Sequence, residues 1–150
     1  MAPDDEALRE KNLAIIKEFF SHTGPDRLKP KAEFYHEGSS FLVPFYFNGE
    51  PLETHGIDAV NEQEELNVAH YHTWEFQITE TFPTTDPNQF WFKIHGVGQL
   101  NNTDGQRIDV ELDPMILYFK MKDGKIDVWE EYFNPVSMFK QAGIELPEIY

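Results

Sequence analysis

The sequence contains no cysteine, which excludes disulfide bonds, thiol catalysis and cysteine-ligated zinc sites. Basic residues are also few: 12 Lys and Arg face 27 Asp and Glu, so the net charge is −15 with histidine neutral. Nucleic acids and anionic membrane surfaces recruit clustered basic residues. The one basic cluster, Arg27, Lys29 and Lys31, is short and lies among acids. We therefore expect neither nucleic acid nor a membrane as a partner.

Long apolar runs are missing as well. No stretch of about 18 apolar residues could span a bilayer, and residues 1–10 are acidic rather than signal-like. A cytoplasmic location is therefore the expectation. The chain also lacks a Gly-rich phosphate loop, a nucleophile elbow and an HExxH motif. Its 150 residues fit one domain, 1–150, with a substantial core.

Three segments have helical periodicity. Residues 4–21 predict an amphipathic helix whose apolar arc contains Leu8, Leu13, Ile15, Ile16, Phe19 and Phe20. Asp26 is expected to cap a second short helix that runs to about Tyr35 and is interrupted at Pro30.

The third predicted helix covers residues 57–68, and its apolar arc includes two amides. Gln63 and Asn67 lie one turn apart among Ala59, Val60 and Leu66. Buried amides need hydrogen-bond partners. Either a polar ligand or neighbouring backbone could supply them, and the sequence leaves both possibilities open.

The rest of the chain predicts strands. Residues 41–47 are rich in β-formers, although Pro44 restricts them to an edge or a bulge. Asn48-Gly49 predicts a hairpin that returns over 50–54. Residues 73–82, 90–100, 106–121 and 125–133 follow as strands joined by short turns. The expected class is therefore α+β, with helices packed on the concave face of a bent antiparallel sheet.

The closing strand carries a carboxylate between two aromatic rings. Alternation places Trp129, Glu131 and Phe133 on one face, while Glu130 and Tyr132 lie on the other. A carboxyl on an aromatic face is poorly solvated, which raises its pKa and suits it to acid/base catalysis. A rim glutamate in water is the alternative. The strand alone does not decide whether Glu130 or Glu131 faces inward.

Other aromatic and imidazole side chains are weaker candidates. Tyr46, Trp91, Trp129 and Phe133 could line a pocket or simply fill the core. His70 and His72 would share a face of an extended segment, but spacing fixes no third ligand, so we predict no metal site.

Several segments together resemble one family. ALREKNLAIIKEFF followed by DRL, WEF followed by TTDPNQFWF, DGKIDVWEEYFNP and QAGIELPEI recur in the order and spacing of the PhzA/PhzB family of phenazine biosynthesis. That family is a branch of the SnoaL-like, nuclear transport factor two-like superfamily. The resemblance implies a cone-shaped α+β fold, a homodimer, and a small-molecule pocket with no metal or organic cofactor. It also implies acid/base catalysis, as in the family's condensation of two amino-ketone rings.

The resemblance assigns roles to individual positions. The family's catalytic glutamate precedes a turn that corresponds here to Phe133 and Asn134, which selects Glu131. Its catalytic histidine lies on the helix before the WEF strand, and that position holds Gln63. Leu66 and Asn67 follow on the same helical face as ligand-binding candidates.

Glutamine cannot titrate, so one partner of the family's acid/base pair is missing. His72 or His95 could replace it, because His95 lies in the middle of a strand and could face the cavity or outward. We therefore predict an acid/base enzyme acting on a small cyclic or carbonyl-bearing molecule through Glu131. A non-catalytic binder of small molecules, or a dimeric interaction module, is the alternative.

Overall fold

The computed structural model describes residues 3–148 and contains four helices and six strands within that range. The helices are α1 (Pro3–Ser21), α2 (Leu28–Ala32), α3 (Ile57–His70) and α4 (Pro135–Gln141). The strands are β1 (Tyr35–Val43), β2 (Leu52–His55), β3 (Tyr71–Pro83), β4 (Gln89–Asn101), β5 (Arg107–Lys122) and β6 (Lys125–Tyr132). No helix within these residues is long and apolar enough to cross a membrane.

The strands form one sheet in the order β2-β1-β6-β5-β4-β3. The segments from β3 to β6 make the expected antiparallel meander, and β1 joins it by pairing parallel to β6. The predicted hairpin at Asn48-Gly49 is present, since β2 pairs antiparallel with β1. The fold is therefore α+β, as the sequence predicts.

Aromatic rings join α1 to the concave face of the sheet. Phe19 is fully buried and meets Phe119 at 6.1 Å and Trp129 at 5.2 Å between ring centroids. Phe20 meets Phe76 at 5.2 Å and Phe92 at 5.9 Å. The high phenylalanine content thus builds one continuous core between helix and sheet.

The predicted buried arc of α1 is wrong at its first turns. Leu8 is 36% exposed, whereas Arg9 and Asn12 are buried. Arg9 donates to the Thr84 carbonyl at 2.8 Å and Asn12 to the Pro87 carbonyl at 3.1 Å. The β3–β4 turn offers backbone acceptors at this end of the helix, so polar side chains face inward there.

Helix α2 and strand β1 also differ from expectation. The helix begins at Leu28 after Arg27 rather than Asp26, and it ends at Ala32. Pro30 does not interrupt it, because this position is in the first turn, where the backbone needs no N–H. The chain is already extended from Tyr35, and β1 ends at Val43, immediately before Pro44.

Glycines let β3 and β4 approach closely. A Cβ on Gly98 would lie 2.2 Å from the Thr73 carbonyl oxygen, and one on Gly96 would lie 2.6 Å from the Trp74 ring. The β4–β5 register also shifts between Ile94 and Gly96. Such irregularities bend a sheet, and here they leave space between its concave face and α2, α3 and α4.

Candidate active site

A cavity of about 470 Å³ occupies that space, and we call it the central cavity. Its walls come from α2, α3, the segment between β1 and β2, the inner face of the sheet and α4. Most lining side chains are apolar, with a few ionisable groups among them. This volume and composition are typical of small-molecule sites.

Glu131 faces the central cavity from β6, and Glu130 does not. The neighbouring Trp129 indole is buried on the same inner side, whereas the Tyr132 hydroxyl donates to Glu130 on the outer side. Strand alternation therefore places the two carboxylates on opposite faces of the sheet. The structure answers the question that the strand sequence leaves open.

The surroundings of the Glu131 carboxyl favour its neutral form. Glu131 is partly buried at the cavity wall, and no described residue hydrogen-bonds to its carboxyl. Burial raises its pKa from 4.5 to about 8, with Glu64 raising it further and Lys31 opposing the rise. A carboxylic acid with this pKa remains mostly protonated at neutral pH and can act as a general acid.

The other predicted pocket residues surround the same cavity. Tyr46 lies between β1 and β2, Trp129 is on β6, and Phe133 follows that strand. Gln63 and Asn67 face the cavity from α3, where the Gln63 amide donates to the Asn67 carbonyl oxygen at 3.2 Å. The two amides thus partly satisfy each other, and this pairing fixes their orientation.

Leu66 contacts the cavity from its mouth, with 51% of its surface exposed.

His72 and His95 do not line the central cavity, contrary to the expectation that one of them reaches it. The β3–β4 register shifts between Tyr71 and Thr73, so Tyr71 rather than His72 faces inward. His95 follows the buried Ile94, and alternation turns its ring to the outer face. There its Nε2 lies 3.0 Å from Glu111 Oε2.

Trp91 was a further pocket candidate, and it too lies outside. Its ring contacts Tyr118 at 4.9 Å on the outer face of the sheet. The structure also groups no three His, Asp or Glu side chains of residues 3–148 in a way that could hold a metal ion.

The structure adds two ionisable residues that the sequence analysis does not place here. Lys31, on α2, is 2% exposed, and its Nζ lies 4.4 Å from the centroid of the Phe19 ring. Burial lowers its pKa from 10.5 to about 8, with Arg27 adding to the effect while Glu64 and Glu131 oppose it. No periodicity in the five-residue helix α2 distinguishes Lys31 from the exposed Lys29.

Glu64, on α3, is the second addition. It is 3% exposed, and its buried Oε1 has no hydrogen-bond partner among the described residues. Burial raises its pKa, and Lys31 and Arg27 act in the opposite direction. A signal for its burial was available, because Glu64 follows the apolar Val60 by four residues, which places both on one helical face.

Arg27 holds helix α2, and with it Lys31, in position. Its Nη1 donates to the carbonyls of Gly24 at 3.1 Å and His72 at 3.2 Å, and its Nη2 donates to the carbonyl of Tyr71 at 2.7 Å. The buried guanidinium therefore ties the start of α2 to the start of β3. Lys31, one turn further along α2, is thereby held against the cavity.

The chain matches the family model described as Phenazine biosynthesis protein A/B over residues 2–150. Phenazine biosynthesis protein PhzB1 of Pseudomonas aeruginosa is 28% identical over 146 residues, which cover 97% of this chain and 89% of that protein. Phenazine biosynthesis protein PhzA1 of the same species is 27% identical over 146 residues, with the same coverage of 97% and 89%.

Solved structures agree with the sequence match. The crystal structure of a phenazine biosynthesis-related protein from P. aeruginosa has a TM-score of 0.84 at 26% identity, covering 98% of this chain and 94% of that one. A putative polyketide cyclase from Xanthomonas campestris has a TM-score of 0.74 at 14% identity, covering 90% and 98%, and shares the fold. The chain belongs to the PhzA/PhzB family and has its SnoaL-like, nuclear transport factor two-like fold.

Proposed function

We propose that this protein is an acid/base enzyme that transfers a proton on a small cyclic or carbonyl-bearing molecule bound in the central cavity. The observation that carries this proposal is the Glu131 carboxyl, which faces an apolar cavity with a pKa raised to about 8. A general acid/base works best when its pKa is close to the working pH. At neutral pH an ordinary surface glutamate, with a pKa of about 4.3, is about three pH units too acidic for that role.

The proposed step starts with Glu131 in its neutral form. The carboxyl gives its proton to the carbonyl oxygen of the ligand, and the resulting carboxylate then accepts a proton from the adjacent carbon. Gln63 and Asn67 have amide groups at the cavity wall that can hydrogen-bond a polar ligand and orient it. Trp129 and Phe133 exclude water, which strengthens these interactions.

The relatives are named for phenazine biosynthesis, which suggests cyclic amino-ketones as the substrate class to test first. The resemblance implies that the family's condensation uses a glutamate together with a histidine. By the same resemblance Gln63 stands at the histidine position, and a glutamine cannot exchange a proton. We therefore expect proton transfer on a single carbonyl compound rather than the family's two-ring condensation.

Thermal unfolding against a panel of cyclic ketones, amino-cyclohexene carboxylates and aromatic acids is the first test. A ligand at a hundredfold excess over its dissociation constant stabilises the folded state by about 2.7 kcal/mol. Each hit is then incubated in D2O, and NMR follows exchange of the hydrogens next to its carbonyl. The proposal requires exchange by the wild type that Glu131→Gln slows by about 100-fold or more.

Glu130→Gln is the matched control, because it removes the adjacent carboxylate on the outer face of the same strand. This variant should exchange the ligand hydrogens at the wild-type rate. Equal exchange by wild type and Glu131→Gln would refute the assignment.

Non-catalytic binding is the second candidate. It is favoured by Gln63, which cannot titrate, and by the absence of His72 and His95 from the cavity lining. The imidazole that does line the cavity is that of His70, an exposed residue at the end of α3. Opposed to non-catalytic binding are Lys31 and Glu64, which supply other ionisable groups beside Glu131. A stabilising ligand that undergoes no exchange above the solvent rate would favour the binder.

The family also suggests a homodimer, and the outer face of the sheet has a surface suited to one. Phe45 is 63% exposed and Trp91 is 38% exposed, and both rings contact Tyr132. Exposed aromatic patches of this kind commonly mark interfaces. Sedimentation equilibrium tests the dimer.

The cytoplasmic location stays a prediction from the sequence.

A further inference from the structure

The ammonium of Lys31 is unusually placed for a lysine. Its side chain is 2% exposed, lines the central cavity and rests against the rings of Phe19 and Phe76, at 4.4 and 5.2 Å. It forms no hydrogen bond to any described residue, and no described carboxylate oxygen lies within 4.0 Å of its nitrogen. A charged lysine has three N–H donors, and those of Lys31 have no hydrogen-bond partner within residues 3–148.

The groups around Lys31 do not neutralise it by direct pairing. Glu64 and Glu131 attract its charge from a distance, while Arg27 repels it. Burial raises the pKa of both carboxyls, and that of Glu131 rises to about 8, so Glu131 carries less negative charge than an ordinary glutamate near neutral pH. Burial is the larger influence on Lys31 and lowers its pKa to about 8. A sizeable fraction of this side chain is therefore a neutral amine at mildly alkaline pH.

A neutral amine at the wall of an apolar cavity is a nucleophile towards carbonyl carbon. We infer that Lys31 Nζ forms an imine with a ketone or aldehyde bound in the central cavity. This inference rests on the proposed carbonyl ligand class, and it adds a covalent step that the proposed proton transfer does not require.

The step balances without an external reagent. The amine lone pair forms a C–N bond, and the carbonyl electron pair moves to oxygen, which takes the proton of the Glu131 carboxyl. The nitrogen then returns one proton to the carboxylate. Loss of the hydroxyl group, protonated again by Glu131, releases water and leaves a protonated C=N bond. The nitrogen then returns this proton to the Glu131 carboxylate, which restores the neutral acid and gives the imine. One carbonyl and one primary amine thus become one imine and one water.

Reductive trapping tests the inference directly. Wild-type protein is treated with cyclohexanone, and in parallel with butanal as a smaller probe, in the presence of sodium cyanoborohydride at pH 7, 8 and 9. Intact mass and peptide mapping then locate the added alkyl group. We expect one group on Lys31, gained faster than on any other lysine, with a rate that rises through about pH 8.

Three variants make the result specific. Lys31→Met removes the amine and keeps an unbranched apolar side chain, and Lys31→Arg keeps the charge without a comparable nucleophile. Both should lose the selective adduct. Lys29→Met, an exposed position on the same helix, should keep it. Circular dichroism confirms the fold of each variant.

The imine at Lys31 and the proton transfer by Glu131 can each be refuted without the other. If neither probe labels Lys31 ahead of the exposed lysines at any of the three pH values, the imine is refuted, even where Glu131-dependent deuterium exchange is intact. If Lys31 is labelled but no exchange depends on Glu131, the imine stands and the proton-transfer proposal falls. Equal labelling of Lys31 in wild type and Glu131→Gln would remove Glu131 as the proton donor in this step.

Discussion

Replacing Glu131 with glutamine should change how stability depends on pH. In the folded protein this carboxyl has a pKa of about 8, whereas in the unfolded chain it is expected near 4.5. The folded state therefore holds a proton that the unfolded state has lost between these values. Raising the pH through this window destabilises the wild type. Glutamine resembles the neutral acid in shape and does not titrate, so Glu131→Gln lacks this loss.

The magnitude follows from the linkage relation. One proton difference changes the free energy of unfolding by about 1.4 kcal/mol per pH unit. Between pH 5.5 and 7.5 the difference between variant and wild type should grow by about 3 kcal/mol in favour of the variant. Lys31 titrates mainly above this window, because its pKa lies between about 8 in the folded state and 10.5 when unperturbed. Its contribution to the pH dependence is therefore nearly the same in wild type and Glu131→Gln and largely cancels in their difference.

The assay is urea unfolding followed by tryptophan fluorescence, at one protein concentration and at four pH values between 5.5 and 8.5. Glu130→Gln reports the effect of removing one carboxylate from a chain of net charge −15, and its curve is subtracted. The corrected difference should rise to about pH 8 and then level off. A corrected difference that stays flat or falls with pH would show that Glu131 ionises freely in the folded protein.

Three structural predictions follow from close contacts. Gly98→Ala should lower the free energy of unfolding by about 3 kcal/mol, because the added Cβ would meet the Thr73 carbonyl. Gly24→Ala is its control: a Cβ there has no atom within 4 Å, so the free energy of unfolding should change by less than about 0.5 kcal/mol. Arg27→Met should cost about 3 kcal/mol by leaving three carbonyls without their shared donor. Asn134→Ala should cost about 1 kcal/mol, because the side chain caps α4. Urea unfolding measures all four variants, and an Arg27→Met protein as stable as wild type would contradict the positioning role of the guanidinium.

The sequence predicts the sheet and the division of β6 into two faces because both depend on strong local patterns. Alternation of apolar and polar residues fixes which face of a strand is buried, and short turn segments fix which strands are neighbours. Alternation places Trp129 and Glu131 on one face of β6, and the resemblance to the PhzA/PhzB family selects that face as the inner one. The two patterns also predict the antiparallel meander of β3 to β6.

Assigning faces by alternation fails where a strand is irregular. His72 has the same parity as the buried Trp74, so simple alternation turns it inward. The register shift between Tyr71 and Thr73 inserts one residue and exchanges the faces. A bulge of this kind depends on strand pairing, which no single strand sequence specifies.

Buried charges escape sequence analysis for a different reason. Lysine and glutamate are rarely buried, so each charged position is assigned to solvent by default. Lys31 and Glu64 are exceptions because Arg27 fixes α2 against β3 and each residue faces the same cavity. The burial of Lys31 is a property of the assembled fold rather than of helix α2 alone, whereas for Glu64 the spacing from Val60 on α3 is a local signal that its charge obscures.

These exceptions bear on what Gln63 can mean for the chemistry. The resemblance implies that Gln63 stands where the family has a catalytic histidine. Under that assignment α3 lacks one proton carrier, while Lys31 on α2 supplies another ionisable group at the cavity. Burial raises the pKa of Glu131 to about 8 and lowers that of Lys31 to about 8. When two such groups share one cavity they titrate as a pair, and moving a proton from the acid to the base leaves the total charge of the cavity unchanged. Under the proposed function, the acid/base capacity has therefore moved from an imidazole–carboxyl pair to an amine–carboxyl pair. That shift favours carbonyl compounds as ligands, because only the amine can also bond to their carbon.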